Sequence, residues 1–187
     1  MQSDRLVVIT GGPGSGKTTL IDALEAAGFA RTHEAGRGII QDQTAIGGVA
    51  LPWRDPLAFA EQMLAWDMRS YQLARAHGGT AFCDRGIPDT IGYLLLMQLP
   101  VPAHMENAAG IFRYHRRVLI APPWREIFTQ DAERRQDFAE AERTFQAMAE
   151  TYARLGYELV ALPRISVAER VRFVLGEIDS EPTAPTS

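Results

Sequence analysis

The residues best suited to phosphate chemistry are concentrated near the start of the chain. An apolar run from Leu6 to Ile9 leads into a stretch that fits G-x-x-x-x-G-K-[ST] and continues as a helical pattern. In such a loop, successive backbone N–H groups point at phosphate oxygens, and the next helix adds its unpaired N–H groups and dipole. We call this segment the glycine loop and predict that it binds a nucleoside triphosphate through Gly11, Gly12, Pro13, Gly14, Ser15, Gly16, Lys17, Thr18 and Thr19.

Two side chains of the glycine loop have separate predicted roles. The Lys17 ammonium would reach the β- and γ-phosphates, and the Thr18 hydroxyl would bind Mg²⁺. The chain has 19 lysine and arginine residues in total, and Lys17 is the only lysine among them. This usage favours a site that needs a compact ammonium rather than a guanidinium. The predicted ligands are Mg²⁺ and ATP, with GTP as the alternative nucleotide; the competing interpretation is a glycine-rich turn that matches by chance.

Asp84 and Arg85 follow a short apolar segment that reads as the third strand. At the carboxyl end of a strand, Asp84 could hold a Mg²⁺-bound water or accept a proton, and Arg85 could bind a phosphate. The alternatives are that Asp84 caps the next helix and that Arg85 makes a structural ion pair. We predict catalytic roles for both residues, with Asp84 also as a metal ligand and Arg85 also in substrate binding.

Glu34 and Arg37 follow the segment that reads as the second strand. Glu34 would face the expected γ-phosphate and could accept the proton of a substrate hydroxyl, while Arg37 could orient an anionic acceptor. We predict both as substrate-binding residues and Glu34 also as a catalytic residue. The alternative is an ordinary polar surface loop.

The segment 124–137 lies between the fourth and fifth predicted strands, where a lid over the nucleotide would sit. It contains Arg134 and Arg135, either of which could neutralise charge in a phosphoryl-transfer transition state. The alternative is that this pair makes exposed ion pairs with Glu133 or Asp137 at the start of a helix. We predict a catalytic lid.

The rest of the chain alternates strand and helix patterns. Strands are predicted at 5–10, 29–34, 80–83, 117–121 and 157–162, and helices at about 16–27, 37–43, 56–77, 87–99, 103–114, 131–155 and 167–178. This alternation predicts an α/β fold with a five-stranded parallel, doubly wound sheet, whose ligands lie at the carboxyl ends of the strands. In the third helix we expect Phe59, Met63, Trp66, Ser70 and Leu73 to form one packing face.

Composition narrows the classes of partner. With 187 residues and a formal net charge of −4, the chain gives no reason to expect a nucleic-acid partner. Cys83 is the single cysteine, and no apolar run is long enough to cross a bilayer, so we expect a cytoplasmic protein without internal disulfides. We expect one domain over residues 1–178 and a disordered tail over 179–187.

The chain resembles the P-loop kinase-like proteins catalogued among AAA-type ATPases, near the kinase domain of bifunctional nicotinamide-riboside kinase regulators and a group of related GTP-binding proteins. The resemblance rests on the glycine loop, on Glu34 to Arg37, on Phe82 to Asp89 and on several motifs further along the chain; those motifs are Pro122-Pro123-Trp124, Asp131 to Arg135, Tyr152 and Leu155 to Leu159. The Asp84-Arg85 pair is also similar to that of thymidylate and deoxynucleoside kinases. These resemblances imply strand order 2-3-1-4-5, an arginine-bearing lid and Mg²⁺–nucleotide binding. The stretch 41–53 departs from the nucleoside kinases, which leaves the acceptor open.

Two functions are compatible with these residues. The first is a Mg²⁺-dependent phosphotransferase that passes the γ-phosphate of ATP to a nucleoside, nucleotide or similar small acceptor. The second is a slow ATP- or GTP-hydrolysing switch or scaffold with a protein or lipid partner, which a basic, apolar groove would favour. A conventional GTPase is disfavoured, because its Asn-Lys-x-Asp motif needs a second lysine.

Overall fold

The computed structural model describes residues 4–128 and 137–179. Five parallel strands form one sheet in the order β2-β3-β1-β4-β5, which confirms the α/β fold and the strand order implied by the resemblance. The strands are β1 (Leu6–Gly11), β2 (Ala30–Thr32), β3 (Ala81–Asp84), β4 (Arg117–Ala121) and β5 (Glu158–Ala161).

The central strand β1 determines where the sheet edge opens. It is buried along its whole length, and Ile9 is in register with Asp84 on one side and with Leu119 on the other. The carboxyl ends of β1, β3 and β4 therefore lie side by side. In a doubly wound sheet this edge is where ligands bind.

Helices cover both faces of the sheet. Their bounds are α1 (Lys17–Ala26), α2 (Ala35–Ile46), α3 (Pro56–His77), α4 (Ile87–Leu96), α5 (Ala103–Ile111), α6 (Phe138–Arg154) and α7 (Val167–Asp179). One buried cluster joins β1 and β3 to α3, α4, α5 and α6, and a second joins the sheet to α1 and α7. Burial of these two apolar faces is the main driving force for the layered arrangement.

Local signals in the sequence explain several helix boundaries. The Asp55 carboxylate accepts a hydrogen bond from Ala58 N at 2.9 Å, and Pro56 is the first residue of α3. Helix α7 opens with the predicted capping box, in which Glu169 Oε2 accepts from Ser166 N at 3.1 Å. The predicted start of α6 at 131 lies outside the described residues; the described helix begins after Asp137, whose carboxylate accepts from Glu140 N.

The predicted packing face of α3 is confirmed at Phe59, Met63 and Trp66, which pack in or against one buried cluster, and is wrong at Leu73. The buried side chains are Phe59, Ala60, Leu64, Asp67, Tyr71 and Ala74, whereas Leu73 is 56% exposed. Apolar and aromatic residues surround most of this helix, so its sequence periodicity does not specify a single face. The consequence is functional, because Phe59 and Met63 line a cavity.

Candidate functional site

The glycine loop joins the buried strand β1 to helix α1 and is held in place by backbone contacts. Gly16 is the N-cap of α1 with a φ of 76°, a left-handed conformation that favours glycine. A Cβ atom on Gly12 would overlap the backbone carbonyl of Ala141 in α6. The loop therefore has little room for larger residues and presents the amino end of α1 to a ligand.

Lys17 lies inside this loop with only 7% of its surface exposed. Its Nζ donates to Gly12 O at 2.5 Å and to Ser15 Oγ at 3.3 Å. Burial, and then the positive charge of Arg85, lower the pKa of the Lys17 ammonium to about 8. A phosphate anion beside it would restore the charged form.

The glycine loop forms one wall of a cavity of about 660 Å³, which we call the loop cavity. It contains most of the predicted site residues and adds aromatic and aliphatic side chains. Its lining residues are Pro13, Gly14, Ser15, Gly16, Lys17, Thr18, Thr19, Glu34, Arg37, Arg85, Trp124, Ile127, Ile165, Ser166, Val167 and Arg170.

Arg170 is a member of this cavity that was not predicted from the sequence. It is 2% exposed, and its Nη1 lies 3.4 Å from Ser15 O, within the glycine loop. Its guanidinium carbon lies 5.8 Å from the ring centre of Trp124. The sequence did contain a signal for this burial. Arg170 lies four positions before the buried Val174, and residues i and i+4 share a helix face.

Glu34, Arg85 and Asp89 form an ion-paired group at the carboxyl edge of the sheet. Arg85 Nε lies 3.2 Å from Glu34 Oε1, and Arg85 Nη1 lies 3.1 Å from Asp89 Oδ1. The Arg85 backbone has a φ of 70°, which is uncommon for a residue other than glycine and is held here by the side-chain bonds. Burial alone would lower the pKa of the Arg85 guanidinium, but Glu34, Asp89 and Asp84 raise it above its usual value.

Asp89 fixes this group to three elements, a role that was not predicted from the sequence. Its carboxylate accepts hydrogen bonds from Thr10 Oγ1 at 2.5 Å, Gly86 N at 3.1 Å and Tyr152 Oη at 2.6 Å. These partners belong to β1, the start of α4, and α6. Asp89 therefore sets the position of Arg85 relative to the sheet. Its position three residues after the N-cap Gly86 was the signal for its capping role, but not for its other bonds.

Asp84 is the last residue of β3 and is 3% exposed. The N-cap of the next helix is Gly86, so the alternative interpretation of Asp84 as a cap is wrong. Burial, and then the negative charge of Glu34, raise the pKa of the Asp84 carboxyl to about 6, against opposing effects of Lys17 and Arg85. Its electrostatic neighbours are thus the other predicted site residues.

The donor set near Asp84 suits Mg²⁺ in part. Asp84 Oδ1 has no hydrogen-bond partner among the described residues, and a buried carboxylate oxygen of this kind is a natural acceptor from metal-bound water. Thr18, on the first turn of α1, lines the loop cavity with an exposed side chain. Within 4–128 and 137–179, no group of three or more His, Cys, Asp or Glu side chains is placed to hold a metal ion.

A second cavity of about 370 Å³ adjoins the loop cavity, and we call it the aromatic cavity. The two cavities share Pro13, Glu34 and Arg85. The rest of the wall is largely apolar and comes from α2, the loop before α3, α3, α4 and α6: Gly36, Ile40, Pro52, Trp53, Phe59, Met63, Asp89, Tyr93, Leu96, Met97, Thr144 and Met148.

The described structure thus brings together most of the predicted residues. Glu34, Arg37 and Arg85 meet the glycine loop in the loop cavity, and Asp84 lies at the adjoining strand end. Arg134 and Arg135 lie outside the described residues. The described part of the predicted lid places Ile127 in the loop cavity, and Phe128 packs edge-on against Phe138 with ring centres 5.4 Å apart. No helix in the described part of the chain has the length and hydropathy of a membrane span.

Comparison with known sequences identifies the family. A family model described as an AAA domain matches residues 6–170. The chain belongs to this family. No curated protein matches the sequence significantly.

Solved structures show that the fold of this AAA domain is shared with several nucleotide-related proteins. A NadR protein, solved in complex with NR, matches with a TM-score of 0.70 and 18% identity, over 98% of this chain and 54% of that one. This chain therefore spans about half the length of that protein. Thymidylate kinase from Ehrlichia chaffeensis matches with a TM-score of 0.62 and 16% identity, over 95% and 99% of the two chains. Deoxyadenosine kinase from M. mycoides, with bound dATP, matches with a TM-score of 0.61 and 11% identity, over 94% and 100%.

Proposed function

We propose that this AAA-family protein is a Mg²⁺-dependent phosphotransferase that moves the γ-phosphate of ATP to a small acceptor. The observation that carries the proposal is the pair of adjoining cavities, which share Glu34 and Arg85 at their junction. One cavity offers the phosphate-binding chemistry of the glycine loop, and the other offers a largely apolar site. A protein that only hydrolyses nucleotide and binds no second ligand would not need the second cavity. The likeness of fold to nucleoside and nucleotide kinases supports the same proposal.

The placement of the side chains supports a direct transfer from ATP to the acceptor. The oxygen of an acceptor in the aromatic cavity would bond to the γ-phosphorus, and the bond from that phosphorus to the β,γ-bridging oxygen would break. The electron pair of that bond leaves with ADP. For a hydroxyl acceptor, the proton passes to a carboxylate at the junction, for which Glu34 is the proposed base.

Charge on the phosphates would be compensated by residues of the loop cavity. Lys17 and the amino end of α1 would bind the β- and γ-phosphates. Thr18 and Asp84 would hold Mg²⁺, Asp84 through a metal-bound water; when bound, the ion neutralises phosphate charge and orients the phosphates. Arg134 or Arg135 would act from the lid. The described lid residue Phe128 lies beside Gly14 of the glycine loop and packs against Phe138 of α6.

The base of the nucleotide has a candidate platform in the same cavity. Trp124 offers an aromatic face, and Ile127 and Ile165 add apolar surface. Arg170 joins this platform to the glycine loop, because it contacts Ser15 O and lies over Trp124. We propose that Arg170 is a positioning residue for the loop.

The decisive experiment measures ATP turnover with a panel of nucleosides, nucleotides and vitamin-like alcohols. We expect at least one acceptor to raise ADP release well above the acceptor-free rate, with a phosphorylated product detected by mass spectrometry. Lys17→Ala should lose about 10²- to 10³-fold in kcat/KM, because it removes a preorganised positive charge from the transferring phosphate. Its circular dichroism spectrum should match wild type.

The switch hypothesis predicts a different result in the same assay. A slow NTPase would hydrolyse ATP or GTP at a rate that no acceptor changes. A third cavity of about 440 Å³ beside β2 has the basic and apolar character that this hypothesis requires. Its lining includes Arg31, Arg69, Trp66 and Leu73. Arg31 is, however, paired with Asp22 and Glu25, so part of the basic character of this cavity is already compensated. Acceptor-independent turnover across the whole panel would contradict the phosphotransferase proposal.

A further inference from the structure

The carboxylate of Asp89 has a complete set of hydrogen-bond donors. Its Oδ1 accepts from Thr10 Oγ1 at 2.5 Å and from Arg85 Nη1 at 3.1 Å. Its Oδ2 accepts from Tyr152 Oη at 2.6 Å and from Gly86 N at 3.1 Å. A carboxylate offers about four lone-pair sites, and these bonds occupy all of them. The Asp89 side chain is therefore held in a single orientation.

The two hydroxyl donors of this group lie out of contact with solvent. Thr10 and Tyr152 are fully buried, and Asp89 is 6% exposed. A buried hydrogen bond to a carboxylate is strong, because water does not compete for it. Removal of either hydroxyl leaves a buried oxygen without one of its donors, and the carboxylate then turns towards the donors that remain. The two hydroxyls thus control where Asp89 points.

Arg85 depends on Asp89 through its side chain and through its backbone. The guanidinium bonds to Oδ1 of Asp89, and the N–H of the next residue, Gly86, bonds to Oδ2. The Arg85 backbone has a φ of 70°, a conformation that a residue other than glycine keeps only when its surroundings hold it. A shift of the Asp89 carboxylate therefore moves the guanidinium and the backbone that carries it.

The two hydroxyls belong to elements that also position the glycine loop. Thr10 lies on β1, directly before Gly11, the first residue of this loop. Tyr152 lies on α6, whose Ala141 carbonyl lies against Gly12. The same two elements therefore fix the glycine loop directly and Arg85 through Asp89.

We propose that Tyr152 and Thr10 are positioning residues, which hold Arg85 at the junction of the two cavities through the carboxylate of Asp89. This inference rests on the proposed function, because a guanidinium at the junction would contact the phosphate as it passes from one cavity to the other. Neither Thr10 nor Tyr152 is among the described lining residues of either cavity, so their effect on turnover passes through Arg85. A guanidinium that is already fixed needs no reorganisation when charge develops on the transferring phosphate.

A double-mutant cycle tests this dependence. Tyr152→Phe keeps the ring and removes the hydroxyl, and Arg85→Ala removes the side chain on which the hydroxyl acts. With ATP, Mg²⁺ and the best acceptor of the panel, Tyr152→Phe should lower kcat by about tenfold or more, the usual cost of losing an indirect partner of a site. In the Arg85→Ala background, the same substitution should change kcat by less than about twofold. Equal losses in the two backgrounds would overturn the inference, as would a kcat of Tyr152→Phe equal to that of wild type.

The second hydroxyl gives an independent comparison. Thr10→Val removes the hydroxyl at nearly constant shape and should lower kcat, whereas Thr10→Ser keeps a hydroxyl and should retain most of the activity. This pair also tests the inference if Tyr152→Phe does not fold. Equal kcat values in Thr10→Val and Thr10→Ser would contradict the role given to the hydroxyl.

A matched control separates positioning from a contribution to stability. Tyr71→Phe removes another buried tyrosine hydroxyl, which donates to Arg113 O at 2.9 Å. It should lower the melting temperature, as Tyr152→Phe does, and leave kcat unchanged. An equal loss of kcat in Tyr71→Phe and Tyr152→Phe would show that both act through stability alone.

Failure of this inference and failure of the proposed function give different results. Turnover that no acceptor raises contradicts the phosphotransferase proposal itself. The cycle is then measured on the acceptor-free hydrolysis of ATP, because Arg85 also lines the loop cavity. Tyr152→Phe should lower this rate only where Arg85 is present. Additive losses, or no loss, would overturn the positioning role as well, and absence of any ATP turnover would contradict both proposals.

Discussion

The two adjoining cavities are built in different ways. The loop cavity takes about half of its lining from one continuous segment, 13–19, which includes the amino end of α1. The aromatic cavity takes its lining from segments scattered between Pro13 and Met148. Under the proposed function, recognition of phosphate would therefore depend mainly on one local segment, and recognition of the acceptor on how helices pack.

This difference separates the effects expected from substitutions. Changes around the loop cavity should impair turnover with every acceptor. Changes in the aromatic cavity should alter acceptor binding and leave nucleotide binding intact. The ion-paired group at the junction, Glu34 with Arg85, belongs to both cavities and should affect both.

The largest effect is expected from the lid arginines. Arg134→Ala or Arg135→Ala should lower kcat by about 10³-fold or more with all acceptors, because an arginine on the transferring phosphate acts chiefly in the transition state. Arg143→Ala, an exposed arginine of α6, is the matched control and should stay near wild type. Steady-state kinetics with the best acceptor of the panel measure these rates. If kcat fell by less than tenfold in both lid variants, segment 124–137 would not be a catalytic lid.

A smaller effect, about 100-fold in kcat/KM, is expected for Asp84→Asn. The pKa of Asp84 is about 6, so the wild-type kcat/KM should fall as pH decreases below 6 and this carboxylate becomes protonated. The pKa of Lys17 is about 8, so activity should also fall as pH rises above 8 and the ammonium loses its charge. Asp84→Asn should keep the decrease in activity above pH 8 and lose the decrease below pH 6, which we call the acid limb. An acid limb retained in Asp84→Asn would assign that limb to another group.

Two tryptophans offer the sharpest comparison of the cavities. Trp53→Phe should weaken binding of the best acceptor of the panel by about tenfold and leave binding of a non-hydrolysable ATP analogue unchanged. Trp124→Phe should do the reverse, because Trp124 lines only the loop cavity. Calorimetry measures both affinities in each variant. If each substitution weakened the binding of both ligands equally, the two cavities would not be independent sites.

The smallest effect concerns the buried carboxyl of Asp67, on α3. Burial, and then the negative charge of Asp89, raise its pKa well above the usual value, so the folded state binds a proton that the unfolded state releases. Stability should therefore fall as pH rises from the unfolded-state pKa. Asp67→Asn should increase the free energy of unfolding at pH 8 by about 1 kcal/mol or more, and by less at pH 5.

Urea denaturation at the two pH values measures this effect. The exposed Asp42→Asn is the control, with little change expected at either pH. A loss of stability in Asp67→Asn at pH 8 would show that Asp67 is charged in the folded state.

Sequence reasoning reached the fold and one cavity because the relevant signals are local. The glycine loop is a contiguous motif between a strand and a helix, and alternating strand and helix patterns predict a parallel sheet. The register of Ile9 with Asp84 agrees with that topology, since parallel strands end at the same edge. The position of Asp84 directly after an apolar strand is therefore enough to predict its place at this edge.

Other site residues could not be predicted from the sequence, because their contacts join distant parts of the chain. Asp89 is separated from its partners Thr10 and Tyr152 by 79 and 63 positions, so its network exists only after packing. Arg170 reaches back to Ser15 across 155 positions. Phe59 and Met63 were predicted to pack and they do, but a mixed apolar helix does not reveal that they also line a cavity.

The sequence by itself determined the position of the proposed phosphate site, because backbone N–H groups and a helix terminus need only a short run of suitable residues. Tertiary structure decided what lies opposite the phosphate. The aromatic cavity depends on the rotation of α3, α4 and α6 about their axes, and side-chain packing across the sheet sets those rotations.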